Sequence, residues 1–191
     1  MKIFDFDGTL VVDNTPDLLL QELSKFKWRY WLVYSLLYSS LGTRLFRFFR
    51  AKNSRKVFCI NMSFIKEADF TQACENVARR VKLIPAVVNE LNDACVIVSA
   101  SFDKIIKNVF PNTTVITNSI RVVGGYCWIV DRDCIGAEKV RRLKELYDIG
   151  NLEEAIFYTD SSMDLPLIKL CGESYIVENE NITRYEEGYF T

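Results

Sequence analysis

The sequence predicts an α/β fold: a Rossmann-like core on a parallel sheet, with a helical cap inserted into it. Three observations carry this expectation. Short apolar runs at Lys2–Phe6, Cys95–Val98 and Ala155–Tyr158 each end in polar residues able to do chemistry. Helical patterning separates them, which is how buried parallel strands read in sequence. A helical block of roughly 75 residues stands between the first and second runs, far more than a βα crossover needs.

Taken in order, Lys2–Phe6 leads into Asp7-Gly8-Thr9. Thr15-Pro16-Asp17 reads as a helix start, with a capping hydroxyl, a proline in the first turn and an acid near the positive end of the dipole. Helical pattern then runs to about Leu91, broken by the basic Lys52–Lys56 stretch and resuming through Phe70–Leu83. These boundaries give a core of residues 1–12 and 92–191 and a cap of residues 13–91. Helices are expected near Ser101–Phe110 and over Ala137–Tyr147. Alternation between Thr113 and Val130 around Gly124-Gly125 predicts strands about a turn. The acidic tail after Val177 reads as loosely ordered.

Composition narrows the chemistry. With 191 residues, the chain has room for one domain and a modest insertion. Its net charge of −1 gives no global field for nucleic acid, and none is expected as a partner. It has no histidine, which removes histidine-assisted nucleophiles, histidine bases and His-ligated zinc. Hydrolysis must then run on carboxylates, lysine, hydroxyls, thiols and an oxygen-bound metal, and hard oxygen ligands suit Mg²⁺. Six cysteines show no C-x-x-C pair, so they read as reduced thiols of a cytoplasmic protein. The first strand starts within a few residues of Met1, which leaves no room for a signal peptide.

Active sites of open parallel sheets lie beyond the carboxyl ends of the strands. Asp5 and Asp7 are two apart, so on a strand they point the same way. Asp5 can attack phosphorus in line while its second oxygen meets the metal. Asp7 can protonate the leaving alkoxide and then deprotonate water. Gly8 lets the backbone turn close to a phosphate. Ser99, at a strand end before a helix, offers a hydroxyl and free N–H groups. Lys139 can hold phosphoryl oxygens and offset carboxylate charge. Asp160 and Asp164, about one helical turn apart, can share a metal.

In order, these elements resemble the haloacid dehalogenase (HAD) superfamily: D-x-D-G-T near the N-terminus, serine after an apolar strand, a downstream lysine, then D-S-x-x-D. The resemblance implies a Mg²⁺-dependent phosphatase with Asp5 as nucleophile, Asp7 as acid/base, and Ser99 and Lys139 as phosphoryl ligands. It implies a phosphoryl pocket of Gly8, Thr9, Ser99, Ala100, Ser101 and Lys139. The metal would meet the Asp5 carboxylate, the Asp7 carbonyl and Asp160, with Asp164 supporting. An acid at Asp7 favours phosphatases and mutases, because dehalogenases lack one there and ion-pumping ATPases have threonine. Val98-Ser99-Ala100-Ser101, Cys134–Val140 and Tyr158–Leu167 look like the phosphoserine-phosphatase-like branch, subfamily IB. Phosphoserine phosphatases proper carry Ser-Gly-Gly where this chain has Ser99-Ala100-Ser101. A phosphotransferase would use the same residues, its acceptor chosen by cap closure. A binding protein keeping only the fold would have no need of these acids.

Between Glu22 and Glu67 there is no acidic residue, while Lys25, Lys27, Arg29, Arg44, Arg47, Arg50, Lys52, Arg55, Lys56 and Lys66 are basic. Inside this stretch Tyr30–Thr43 is uncharged and aromatic-rich; as a helix it spans about 21 Å, short of a ~30 Å hydrocarbon core. Two readings stand. The aromatics pack the cap while the basic groups face water or an anionic substrate, or residues 25–56 touch an anionic membrane surface peripherally, on its inner face. The basic, aromatic cap with Gly136–Lys139 also looks like phosphatidylglycerophosphatase C-type enzymes. That resemblance implies an amphiphilic or lipid-linked phosphomonoester, alongside the alternative of a small phosphorylated metabolite.

Overall fold

A computed structural model describes residues 1–26, 28–49, 54–92, 94–130 and 132–190. Its centre is a six-stranded sheet of order β3-β2-β1-β6-β7-β8. The strands are β1 (Lys2–Phe4), β2 (Cys95–Val98), β3 (Thr114–Ile116), β6 (Ile156–Thr159), β7 (Glu173–Glu178) and β8 (Asn181–Arg184). All pair in parallel except β7 with β8. Side chains alternate across the sheet. Phe4, Ile97 and Tyr158 join one hydrophobic cluster, and Ile3, Val96, Val98 and Phe157 join a second. Burial on both faces explains why these strands read as unbroken apolar runs.

Five helices separate β1 from the crossover into β2: α1 (Thr15–Phe26), α2 (Trp28–Tyr38), α3 (Ser40–Phe49), α4 (Arg55–Met62) and α5 (Glu67–Ala78). The short α6 (Pro85–Val88) follows. On α5 the buried residues Phe70, Ala73, Cys74 and Val77 fall at i, i+3, i+4 and i+7, one helix face. Phe70 meets Phe102 edge-on at 5.5 Å, tying α5 to α7 (Asp103–Val109). The hairpin of β4 (Ile120–Val123) and β5 (Tyr126–Ile129) turns through Gly124-Gly125, both at positive φ as a two-residue hairpin loop demands. It bonds to the inserted helices: the Asn61 side chain bonds both ways to the Ile129 backbone, and Cys127 N donates to Ile65 O at 2.8 Å. Helices α8 (Ala137–Lys144), α9 (Ile149–Glu153) and α10 (Leu165–Ile168), with a 3-10 turn over Ser162–Asp164, complete the described elements.

Several sequence expectations need correction. The tail after Val177 is no loose segment at its start, since β8 pairs antiparallel with β7. The helix expected over Phe70–Leu83 begins at Glu67 and ends at Ala78, and that over Ala137–Tyr147 stops at Lys144. Of the expected basic break, Lys52 lies outside the described residues, while Arg55 and Lys56 open α4 behind the Ser54 cap. Thr15 does not use its hydroxyl to cap α1. Asn14 Oδ1 accepts from Asp17 N at 3.3 Å, and the threonine hydroxyl is engaged elsewhere.

Candidate active site

Because β1 lies between β2 and β6 and all three are parallel, their carboxyl ends meet at one sheet edge. Asp5 follows β1 immediately, Ser99 follows β2 and Asp160 follows β6. A cavity of about 610 Å³ opens there. It is lined by Asp5, Asp7, Gly8, Ser99, Ala100, Lys139, Asp160 and Asp164 among the expected residues, and by Arg55 and Lys56 from α4. Thr9 and Ser101 are fully buried and stand behind the lining.

The innermost group is an ion triad. Lys139 Nζ lies 3.0 Å from Asp5 Oδ1 and 2.7 Å from Asp164 Oδ2, with the lysine 3% exposed. Burial opposes its charge, but the attraction of Asp5 and Asp164 outweighs this and holds its pKa above the ordinary lysine value. Thr159 Oγ1 donates to the same Asp164 oxygen at 2.8 Å. Asp164 is therefore occupied in fixing the lysine. Asp5 Oδ1 also accepts from Phe6 N at 2.7 Å, while Oδ2 has no hydrogen-bond partner among the described residues. Burial pushes the Asp5 carboxyl up to about 7 against the pull of Lys139.

Asp7 is held from α1. Thr15 N and Thr15 Oγ1 both donate to Asp7 Oδ1, at 2.8 and 2.6 Å. Burial nevertheless raises Asp7 to about 6. The Thr15 hydroxyl also pairs with Ser101 Oγ at 2.6 Å, so α1 is stitched to the loop after β2. Ser99 Oγ accepts from Ser101 N at 3.1 Å, which leaves its own proton to donate. Gly8 sits at φ +71, and a Cβ there would fall 2.0 Å from Asp160 Oδ2. Only glycine admits both that turn and that carboxylate. Burial also raises the Asp160 pKa. Among the described residues no three acidic or thiol side chains group as a metal cluster, so any ion here relies on main-chain oxygen or water as well.

Sequence reasoning missed Thr15 as the clamp on Asp7 and Thr159 as the clamp on Asp164; the latter abuts Asp160 at a strand end, a position that signals a site. It also missed Asp133. One oxygen of Asp133 accepts from Ser54 N, before α4, at 2.6 Å, and the other from Asn118 Nδ2 at 3.2 Å. Asn118 in turn donates to Ala100 O at 2.7 Å, linking α4 to the Ser99 loop.

Strand-end carboxylates thus gather around a buried lysine at the carboxyl edge of a mostly parallel sheet. The family pattern described as haloacid dehalogenase-like hydrolase matches residues 3–169, and the chain belongs to that family. No curated protein matches it in sequence. Among solved structures it is similar to a HAD-family hydrolase of Salmonella enterica subsp. enterica serovar Typhi (TM-score 0.57, 18% identity), over 90% of this chain and 59% of that one. A phosphoserine phosphatase in apo form aligns with TM-score 0.54 and 18% identity, over 91% of this chain and 83% of the other. A phosphoserine phosphohydrolase-like protein of Francisella tularensis subsp. tularensis SCHU S4 aligns with TM-score 0.52 and 15% identity, over 94% and 87%. At these identities the likeness is one of fold. The chain thus spans 59% of the length of the Salmonella hydrolase.

Proposed function

We propose that the chain is a Mg²⁺-dependent phosphomonoester phosphatase that works through a phosphoaspartyl intermediate on Asp5. The Asp5–Lys139–Asp164 triad, opening on a cavity shared with Asp7, Ser99 and Asp160, carries this reading. Asp5 attacks phosphorus, the P–O bond to the leaving group breaks, and Asp7 gives its proton to the departing alkoxide. Asp7 then takes a proton from water as that water attacks the phosphoaspartate, releasing inorganic phosphate and restoring Asp5. A carboxyl raised to about 6 suits a group that must both give and take a proton near neutrality. The Ser99 hydroxyl and Lys139 hold the phosphoryl oxygens, with Gly8, Thr9, Ala100 and Ser101 shaping the loops around them.

The residues present fit a hard divalent cation. Six aspartates and three basic side chains line the cavity, a balance that repels a phosphoryl dianion until further positive charge enters. Asp5 Oδ2, the Asp7 carbonyl and Asp160 are the proposed ligands, with Asp164 supporting through Lys139. Bound Mg²⁺ would supply charge neutralisation at the phosphoryl group. The proposed substrate is amphiphilic or lipid-linked, a choice supported by the acid-free inserted segment that brings Arg55 and Lys56 to the cavity wall. All six cysteines are free thiols, which supports a cytoplasmic location.

The test is phosphate release from a panel spanning phosphoserine, sugar phosphates, nucleotides and glycerophosphate or lysophospholipid monoesters. Turnover with Mg²⁺, and its loss on chelation with recovery on re-addition, is expected. No release from any of them would refute the reading. Gly8→Ala is expected to weaken Mg²⁺ about 10- to 100-fold by displacing Asp160. The positive φ adds a strain of about 1–3 kcal/mol. Thermal shift against Mg²⁺ concentration reads both effects.

A further inference from the structure

We propose that the outer face of α2, with the adjoining α3, docks on an anionic bilayer surface. What is then hydrolysed there rests on the phosphatase reading, whereas the docking stands on surface chemistry alone. Tyr30 marks the inner side of α2: it is 3% exposed and its hydroxyl donates to Asp69 Oδ2 at 2.7 Å. Val33 packs partly buried on the same side. With about 100° of rotation per residue, positions 28, 31, 32 and 36 gather on the opposite side. There Trp28 is 76% exposed, Trp31 58%, and Leu32 and Leu36 46% each. Leu41 at the start of α3 adds another at 58%. Single exposed apolar side chains are ordinary, but a contiguous stripe with two tryptophans marks a contact surface.

The charge around the stripe selects its occupant. Arg44 and Arg47 are exposed on α3 and form no ion pair among the described residues. No acidic residue occurs between Glu22 and Glu67. A second copy related by a two-fold axis would bring two such basic, acid-free faces together, which repel. An anionic headgroup layer complements both features: tryptophan and leucine enter the headgroup–acyl boundary while arginine meets phosphate. The helix cannot do more than lie on the surface. Its 11 residues reach about 16 Å against a ~30 Å hydrocarbon core. No described helix is long and apolar enough to cross a membrane. Lys27, Arg50 and Lys52, with the side chains of Arg29, Tyr34 and Tyr38, lie outside the described residues. The next helix, α4, supplies Arg55, Lys56 and Val57 to the cavity wall, so docking and substrate entry belong to one inserted segment.

The test uses the full chain with sedimented vesicles of phosphatidylcholine alone or mixed with phosphatidylglycerol. Pelleting with the mixed vesicles, decreasing as salt rises, and none with phosphatidylcholine alone is expected. Arg44→Glu/Arg47→Glu should partition at least roughly 30-fold more weakly. Trp28→Ser/Trp31→Ser should lose both pelleting and the blue shift of tryptophan emission. Both variants should hydrolyse p-nitrophenyl phosphate at the wild-type rate, since neither pair lines the cavity. Absence of pelleting, or equal pelleting of wild type and both variants, overturns the proposal. So does a concentration-dependent dimer abolished by Trp28→Ser/Trp31→Ser without vesicle binding, which would give the face to a second copy. Docking and chemistry fail separately: vesicle binding without hydrolysis of any phosphomonoester would sink the phosphatase reading and leave the docking intact.

Discussion

Asp5→Asn is expected to lower Mg²⁺-dependent phosphate release by at least about 10⁴-fold while the fold persists. An amide cannot form the acyl phosphate, and removing a nucleophile costs on this order in other hydrolases. The replacement is nearly isosteric, so Oδ1 can still accept from Phe6 N. Stability should move in a direction that activity alone would not reveal. Burial raises the folded Asp5 pKa from 3.8 to about 7, so the folded state holds a proton more tightly than the unfolded chain. The resulting stability is present below about pH 4 and is lost as pH rises through 7. In metal-free protein the wild type should therefore lose melting temperature across that window. Asp5→Asn should lose less, retaining the smaller Asp7 component between about 4 and 6 and that of Asp160, whose pKa burial also raises. Circular-dichroism melts at pH 5 and pH 8, beside a phosphate assay, measure both effects. Wild-type turnover in the variant would remove Asp5 from the chemistry.

The reason these acids could be found in sequence is local. Ile3 and Phe4, Cys95–Val98, and Phe157 and Tyr158 are buried, with side chains on both faces of the sheet, so these runs are unbroken and the polar residues just beyond each mark the site edge. Strands without that property were harder to read. Only Ile182 of β8 is even partly buried; the strand exists because β7 offers it a ladder, so Asn181–Arg184 looks like a polar tail in isolation. The same holds within the site. Asp5, Asp7, Ser99, Lys139, Asp160 and Asp164 sit at strand ends or helix starts that pattern alone locates. Thr15 and Asp133 gain their roles from partners 8 and 79 residues away, which no local pattern encodes. Thr15 even carries a misleading signal, since a threonine before Pro-Asp fits a helix cap. The aromatic stripe on α2 was visible as composition, but which residues face inward depends on Tyr30 finding Asp69.

Lys139→Met tests whether the triad holds the site together. The methionine keeps the length and apolar stem of lysine but removes the cation between Asp5 and Asp164, which are 11% and 2% exposed at the side chain. Breaking a buried pair in this way costs about 3–5 kcal/mol, because the carboxylates left behind are desolvated and repel. For a chain of 191 residues that corresponds to a fall of roughly 10 °C in melting temperature. The deficit should be larger at pH 8 than at pH 5, since protonation relieves the stranded acids. Mg²⁺ should recover part of the loss by supplying positive charge beside Asp5, without restoring turnover, because the phosphoryl oxygens have lost their lysine. Lys139→Arg is expected to recover little, as a planar guanidinium cannot occupy the point between two oxygens 3.0 and 2.7 Å from the ammonium. If Lys139→Met instead melts with the wild type at pH 8, the two aspartates do not depend on that cation, and the lysine serves the phosphoryl group alone.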